Sequence, residues 1–133
     1  MSRATRTRDA CAAIAIPLLL ACAAAGRQSD RAPVLERLVP DSVFVAPGSV
    51  VEVTLIGSGF HDGVPGENTV MFGGSTMRHV PASADGRRIT FVVPEAIESG
   101  GEAPPSRLLT GTYPVQVETT MGRSNVLMLR VMR

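Results

Sequence analysis

Few polar residues have the spacing that chemistry requires, and the closest group surrounds a Gly-rich segment. His61 and Asp62 lie a few positions before Glu67 and Asn68, and His79 follows on a run that we predict to be a separate strand. Imidazoles and carboxylates are metal ligands, but this spacing matches neither a zinc motif nor a calcium-binding loop. We predict that no metal is bound and that His61 is an exposed loop residue.

No motif indicates a catalytic centre. Serine, histidine and aspartate are all present, but the Gly-x-Ser-x-Gly elbow that holds a nucleophile is absent. The segment Gly57 to Phe60 is similar to a phosphate-binding loop, yet it lacks the lysine and the following helix. Paired carboxylates for glycoside hydrolysis need a cleft, which a small domain rarely supplies. The sequence therefore favours a protein that is not an enzyme, with no catalytic residue and no cofactor.

The first 25 residues have the pattern of an export signal. Three arginines precede an apolar, Ala-rich run from Ala10 to Ala25. This run is about 16 residues long, shorter than the roughly 20 residues that span a bilayer. A basic start followed by a short apolar stretch is typical of a secretory signal.

A cysteine near the end of that run is the candidate site of modification. The segment Leu19-Leu20-Ala21-Cys22 resembles the lipobox of bacterial lipoproteins, which implies cleavage after Ala21 and acylation of Cys22. Two or three acyl chains anchor a protein firmly, whereas a single chain binds marginally. The alternative is an ordinary signal cleaved at an Ala-X-Ala site, with Cys22 lost or incidental. Cys11, the other cysteine, is interpreted as a small apolar residue of the signal.

The predicted organisation has three parts: a lipoprotein signal peptide at residues 1–21, a flexible tether at 22–32 and one domain at 33–133. Small and polar residues dominate the tether. We expect an exported protein, held on a membrane of the cell envelope through Cys22. Ala23, and not aspartate, follows the cysteine, and by resemblance to enterobacterial lipoproteins this implies the outer membrane in a Gram-negative organism.

The charge of the domain excludes several classes of partner. Without residues 1–21 the chain has ten basic residues, all arginine, and eleven acidic residues, a net charge of −1. A near-neutral chain lacks the electrostatic footprint of a nucleic-acid binder and the polybasic patch of a membrane binder. The basic pair Arg87-Arg88 is interpreted as a solvated turn before a strand.

Beyond Pro33 the sequence predicts only β-strands. Short runs rich in β-branched residues alternate with Gly, Pro and Asn, a spacing typical of an all-β sandwich or barrel. In the clearest run Val51, Val53 and Leu55 share one face of the strand. We predict seven to nine short strands, of which the main runs are 34–39, 43–45, 50–56, 69–72, 77–80, 88–93, 113–119 and 126–131.

Several of these segments together resemble the IPT/TIG family of immunoglobulin-like domains. They are Val51 to Phe60, Asn68 to Gly74, Arg88 to Pro94, and Gly111 to Val117 with Gly122 to Asn125. The resemblance covers most of residues 33–133 in the family's order, and it implies an immunoglobulin-like β-sandwich of the early-set type. The matching positions are Gly57, Gly59, Phe60, Asn68, Phe72, Gly73, Gly74, Pro94, Gly111, Tyr113, Pro114, Gly122, Ser124 and Asn125.

Some of these positions have expected structural roles. We expect Gly57 and Gly59 to bracket a strand end, where the backbone needs a positive φ or a close approach. Phe60 then folds back onto the core. We expect Asn68 to bond its own backbone and Gly73-Gly74 to form a tight hairpin turn. Tyr113 is expected to bury its ring and to form a hydrogen bond through its hydroxyl. Pro114 is expected to face a sheet edge or a bulge.

Residues 95–110 depart from the resemblance, because family members join the flanking strands by a shorter segment. We predict a disordered surface loop here, with a binding element as the alternative. A connection of this length is unusual in a compact domain.

The family resemblance implies a spacer or interaction domain, so we expect a binding or structural module at the cell envelope. Contact with an envelope protein through loops, or by strand addition at a sheet edge, is the leading hypothesis. Polysaccharide binding is the alternative. It requires an exposed aromatic platform, and we expect most of Phe44, Phe60, Phe72 and Phe91 to lie in the core. A small hydrolase and a DNA-binding domain rank lower.

Overall fold

The computed structural model describes residues 31–62 and 67–133. The predicted signal peptide, Cys22 and the tether up to residue 30 lie outside the described residues. Within those ranges the chain forms eleven strands and no helix, so the predicted all-β fold is confirmed, with more strands than the seven to nine expected. The strands are β1 (Val34–Val39), β2 (Ser42–Phe44), β3 (Glu52–Ser58), β4 (Thr69–Phe72), β5 (Ser75–Met77), β6 (Arg88–Val92), β7 (Ala96–Ile97), β8 (Ser106–Arg107), β9 (Gly111–Thr119), β10 (Gly122–Arg123) and β11 (Leu127–Met132). In this part of the chain no helix is available to cross a membrane.

Two sheets form a β-sandwich. The smaller sheet has the order β1-β3-β6, and the larger has the order β2-β11-β9-β4-β5, with β10 paired to β9. The pairs are antiparallel apart from β2 with β11, which is parallel. Inward side chains of both sheets belong to one hydrophobic cluster. This is the arrangement of two sheets packed face to face over a shared core.

Strict alternation along the strands fills that core. Val53 and Leu55 of β3 in the smaller sheet and Val115 and Val117 of β9 in the larger sheet are all fully buried in the same core. Each such side chain contributes about 1.5–3 kcal/mol when it leaves water. Because residues 31–133 contain no cysteine, this packing and the hydrogen bonds between segments hold the sheets together.

Strand β1 departs from alternation at one point. Leu35 and Leu38 are both buried although they are three positions apart, so a regular strand would turn one of them outward. The register against β3 shifts between Leu35 and Arg37, and this bulge returns Leu38 to the inner face. The chain then passes from the smaller sheet to the larger through the cis peptide bond Val39–Pro40.

The segment 95–110 is paired at both ends, so the prediction of a disordered loop is wrong there. Strands β7 and β8 form a two-stranded antiparallel ribbon through Ala96 with Arg107 and Ile97 with Ser106. The next residue, Leu108, is fully buried in the main core. Burial of this leucine ties the ribbon to the sandwich and fixes the position of the residues around it.

Candidate functional site

Among the polar residues around His61, the side chains of His61 and Glu67 form a contact pair. The His61 Nε2 contacts the Glu67 carboxylate, and the side chain is only 13% exposed, so the prediction that His61 is exposed is wrong. The backbone of Asp62 forms an isolated parallel β-bridge with the backbone of Ala82. His79 lies in a loop with φ of +62°, not on a strand as predicted. Among the described residues, no three His, Cys, Asp or Glu side chains converge as a metal site would require.

Asn68 joins three segments through its side chain. The residue is fully buried. Its Oδ1 accepts a hydrogen bond from the His61 N–H (2.8 Å), while Nδ2 donates to the carbonyls of His61 (2.8 Å) and Val80 (3.0 Å). The prediction that Asn68 bonds its own backbone is therefore wrong. The side-chain amide instead hydrogen-bonds the backbone groups of His61 and Val80 where no β-ladder pairs them, so these groups are satisfied.

Gly57 and Gly59, at the end of β3, show the two expected reasons for glycine, one at each residue. Gly57 lies inside β3, and a Cβ there would be 2.0 Å from the Val34 carbonyl oxygen, so the close approach of β1 requires glycine. Gly59 has φ of +77° and lies in the left-handed region. Phe60 follows and is buried, as predicted.

The other glycines of the motif also differ in whether the backbone requires glycine. Gly73-Gly74 joins Phe72 to Ser75 in the expected two-residue hairpin turn. Gly73 has φ of +58° and Gly122 has φ of +128°. Gly111 opens β9 with neither a positive φ nor a tight contact, and nothing in the structure requires glycine there.

Tyr113 forms a corner at the start of β9. Its hydroxyl donates a hydrogen bond to the Leu109 carbonyl (2.9 Å) and accepts one from the Leu109 N–H (3.1 Å). The centroid of its half-buried ring lies 5.3 Å from the centroid of the buried Phe72 ring. A tyrosine bonded to backbone a few residues upstream is a hallmark of immunoglobulin-like sandwiches. The expected hydrogen bond of the Tyr113 hydroxyl is confirmed, whereas the ring is only partly buried against the core.

Pro114 is accommodated at the end of a ladder. Its carbonyl accepts from the Gly73 N–H, beyond the last β4–β9 pair at Phe72 and Val115. The N–H and C=O of one residue share a side in an antiparallel strand. The missing donor of Pro114 therefore faces the hairpin turn. Pro94 lies just after β6, half-buried, and has no further visible role.

Ser124 and Asn125 tie the last hairpin to both sheets. The buried Ser124 hydroxyl accepts from the Val117 N–H (2.9 Å) and donates to the Asn125 carbonyl (2.7 Å). The Asn125 amide bonds both backbone groups of Leu35, at 2.8 and 2.9 Å. This contact meets β1 beside its bulge, where the regular ladder is interrupted.

Both residues of the basic pair are exposed, but only Arg87 lies before the strand, as predicted, because Arg88 is the first residue of β6. Arg87 is more than half exposed and contacts Glu36 at 3.6 Å. The neighbouring Asp85 accepts a hydrogen bond from the Ser83 hydroxyl and another from the Arg87 N–H, and these bonds lower the pKa of its carboxyl group. Gly86 closes the turn with φ of +64°.

An apolar groove lies where β2 meets the segment after β8. Its volume is about 370 Å³, and its lining residues are Phe44, Val45, Ala46, Pro47, Arg107, Leu109 and Arg133. Phe44 is 62% exposed and Leu109 is 65% exposed. Phe60, Phe72 and Phe91 are buried, so the expectation that most phenylalanines lie in the core is confirmed, and Phe44 is the exception. The signal was present in the sequence, because Val43 and Val45 are buried and the residue between them must face outward.

Comparison with known proteins gives no family assignment, because no family model and no curated protein matches this chain.

Proposed function

We propose that this protein is a non-enzymatic lipoprotein of the cell envelope, anchored through acylated Cys22, whose IPT/TIG-type domain binds a partner protein. The groove between Phe44 and Leu109 supports the partner-binding part of this proposal, and the lipobox at Cys22 supports the anchor. Exposed apolar side chains grouped around a concave surface mark interaction sites on soluble domains. Aromatic and arginine side chains are also the residue types that contribute most to protein interfaces.

The charge around the groove favours an acidic partner segment. Arg107 and Arg133 both line it. The Arg133 guanidinium donates through Nη1 to the Leu108 carbonyl (2.7 Å), and its buried Nη2 has no hydrogen-bond partner among the described residues. Arginine forms strong, directional hydrogen bonds with carboxylates. The partner would therefore place an apolar side chain in the groove and an Asp or Glu beside it.

The backbone next to the groove is suited to strand addition. Strand β2 is the last strand on its side of the larger sheet. The Val45 N–H and the Asp41 carbonyl bond to β11. Alternate residues of a strand direct their backbone groups to opposite sides, so Ser42 and Phe44 present theirs to the open edge. An added partner strand would bond here while its side chain enters the groove.

Photocrosslinking in living cells tests the groove. A photoreactive residue at Leu109 of the full chain is expected to capture one discrete protein, identified by mass spectrometry. The matched control places the same group at Val50, which is 76% exposed and outside the groove. Phe44→Ala should weaken capture strongly, because loss of an interface anchor costs about 2 kcal/mol, roughly 30-fold in affinity. Arg107→Glu should act in the same direction.

Two outcomes would contradict the groove. Identical adducts from positions 109 and 50 would indicate random encounter. Retention of the protein on purified envelope polysaccharide, reduced by Phe44→Ala and without a protein adduct, would establish the alternative in which the exposed ring contacts sugar.

Replacement of the lipobox cysteine tests the anchor. Cys22→Ala is expected to abolish incorporation of labelled palmitate and to move nearly all of the protein out of the membrane fraction, because the acyl chains supply the attachment. Cys11→Ala is the matched control and should leave both unchanged. A Cys22→Ala protein that stays acylated, or stays in the membrane fraction, would refute the lipoprotein assignment.

A further inference from the structure

The outer face of the larger sheet carries a polar recess that the groove does not use. It has a volume of about 450 Å³, the size range of small-ligand sites. Its lining residues are Thr69, Met71, Thr76, Arg78, His79, Glu118 and Arg123. It lies by β4 and β5, whereas the groove lies by β2, and these are opposite edges of the sheet. The two sites share no residue.

Strand register brings these side chains to one face. Glu118 is paired with Thr69 on one side and Arg123 on the other, and Met71 is paired with Thr76. Residues directly opposite each other in a sheet project on the same side. Their neighbours Val70 and Val117 are buried in the core, so this set faces solvent.

Positive charge exceeds negative charge in the recess. Two arginines and one carboxylate line it, and the Nε of Arg123 already bonds the Glu118 carboxylate at 2.9 Å. Arg78 has no carboxylate partner among the described residues. It is therefore the cation with the most hydrogen-bonding capacity left for a ligand. A guanidinium suits the paired oxygens of a carboxylate or phosphate.

The loop that carries Arg78 has an unusual backbone. His79 adopts φ of +62°, a conformation that non-glycine residues seldom adopt and that clusters at functional sites. Arg78 and His79 line the recess together with Thr69 and Thr76. Hydroxyl, imidazole and carboxylate groups together suit a ligand with several hydroxyls. No Phe, Tyr or Trp lines the recess, so a charged sugar would be held by Arg78 with Met71 as the apolar contact, unlike the stacking that a neutral polysaccharide requires.

We infer that this recess binds an anionic sugar unit, with Arg78 holding its carboxylate or phosphate and the threonines and Glu118 bonding its hydroxyls. This is a second binding site, distinct from the proposed protein groove. A substitution that removes binding at one site leaves the other site intact, because no residue lines both sites. The two proposals can therefore fail independently.

Methionine NMR of the full acylated chain in detergent micelles tests this inference. Met71 lines the recess, while Met128 lines a separate depression of about 350 Å³ on the same sheet face, with Asp41 and Arg130. That depression has balanced charge and serves as an internal control. With methyl-labelled methionine, titration with D-glucuronate or glucose 6-phosphate at low salt should shift the Met71 signal saturably and leave Met128 unchanged. Uncharged glucose should have no comparable effect.

Substitution then connects the shift to the arginine. Arg78→Gln should weaken binding at least tenfold, while Arg130→Gln should leave it unchanged. The tighter of the two probes identifies whether the natural group is a carboxylate or a phosphate. The inference is overturned if Met71 does not respond to either probe, if Met71 and Met128 respond equally as in a bulk ionic effect, or if Arg78→Gln binds as tightly as the original chain.

Discussion

Gly57→Ala is expected to destabilise the domain by roughly 3 kcal/mol or more, at the upper end of the range for overpacking. The added methyl carbon would lie 2.0 Å from the Val34 carbonyl oxygen, 3.0 Å from the Val34 carbonyl carbon and 3.1 Å from Cζ of Phe60. Two of these three atoms are backbone, which moves less readily than a side chain. Relief therefore requires β1 to separate from β3.

Thermal unfolding of the full chain in micelles measures this effect. For a domain of about 100 residues, a loss of 3 kcal/mol lowers Tm by roughly 12–24 °C. Tyr113 is the only tyrosine and the chain has no tryptophan, so fluorescence reports directly on the corner at the start of β9. Gly111→Ala is the matched control, because its nearest contact would be an ordinary 3.8 Å. A Tm for Gly57→Ala within a few degrees of this control would show that β1 does not hold its position.

Asn68→Asp is expected to make the stability of the domain depend on pH. The two carbonyl oxygens of His61 and Val80 that now accept from Nδ2 would face a carboxylate oxygen with no proton to donate. Burial and these acceptors raise the folded-state pKa of the introduced carboxyl above the ordinary value of about 3.9. Folding therefore favours the protonated form. The penalty is small below about pH 4 and grows as pH rises through the folded-state pKa.

Unfolding at pH 4 and pH 7 separates this effect from simple loss of contacts. Asn68→Asp should lose about 1 kcal/mol at acidic pH, because a protonated carboxyl still donates one bond, and about 3 kcal/mol or more at neutral pH. Asn68→Ala should lose a similar amount at both. Asn125→Asp is the matched control, since that amide is exposed and donates a single bond to Leu35. A pH-independent result for Asn68→Asp would show that the amide is not held between the two carbonyls.

Local pattern was sufficient for most of the strands. Alternation of β-branched and polar residues in 51–56 and 115–119, and breaks at Pro40 and Gly73-Gly74, depend only on the period of a strand and on turn chemistry. The same period placed Phe44 outside, because its neighbours Val43 and Val45 are inside. The core preference of aromatic residues holds for Phe60, Phe72 and Phe91, and Phe44 is the exception.

Long-range contacts could not be predicted from local sequence pattern. The partners of Asn68 are seven and twelve positions away, and those of Asn125 are ninety positions away. No local spacing encodes such distances. The ribbon at 95–110 was also missed, because its β7 and β8 pairs are only two residues long and its attachment depends on the burial of Leu108.

The sequence by itself determined the all-β class, the register of inward and outward residues in the longer strands, and the need for glycine near the end of β3, because these follow from backbone geometry over a few residues. Tertiary structure alone decided which surfaces could bind. The groove combines Phe44 with Leu109, and the recess combines Arg78 with Arg123. In each case the residues come from strands or loops distant in the chain, which meet only when the sheets pair and the core closes.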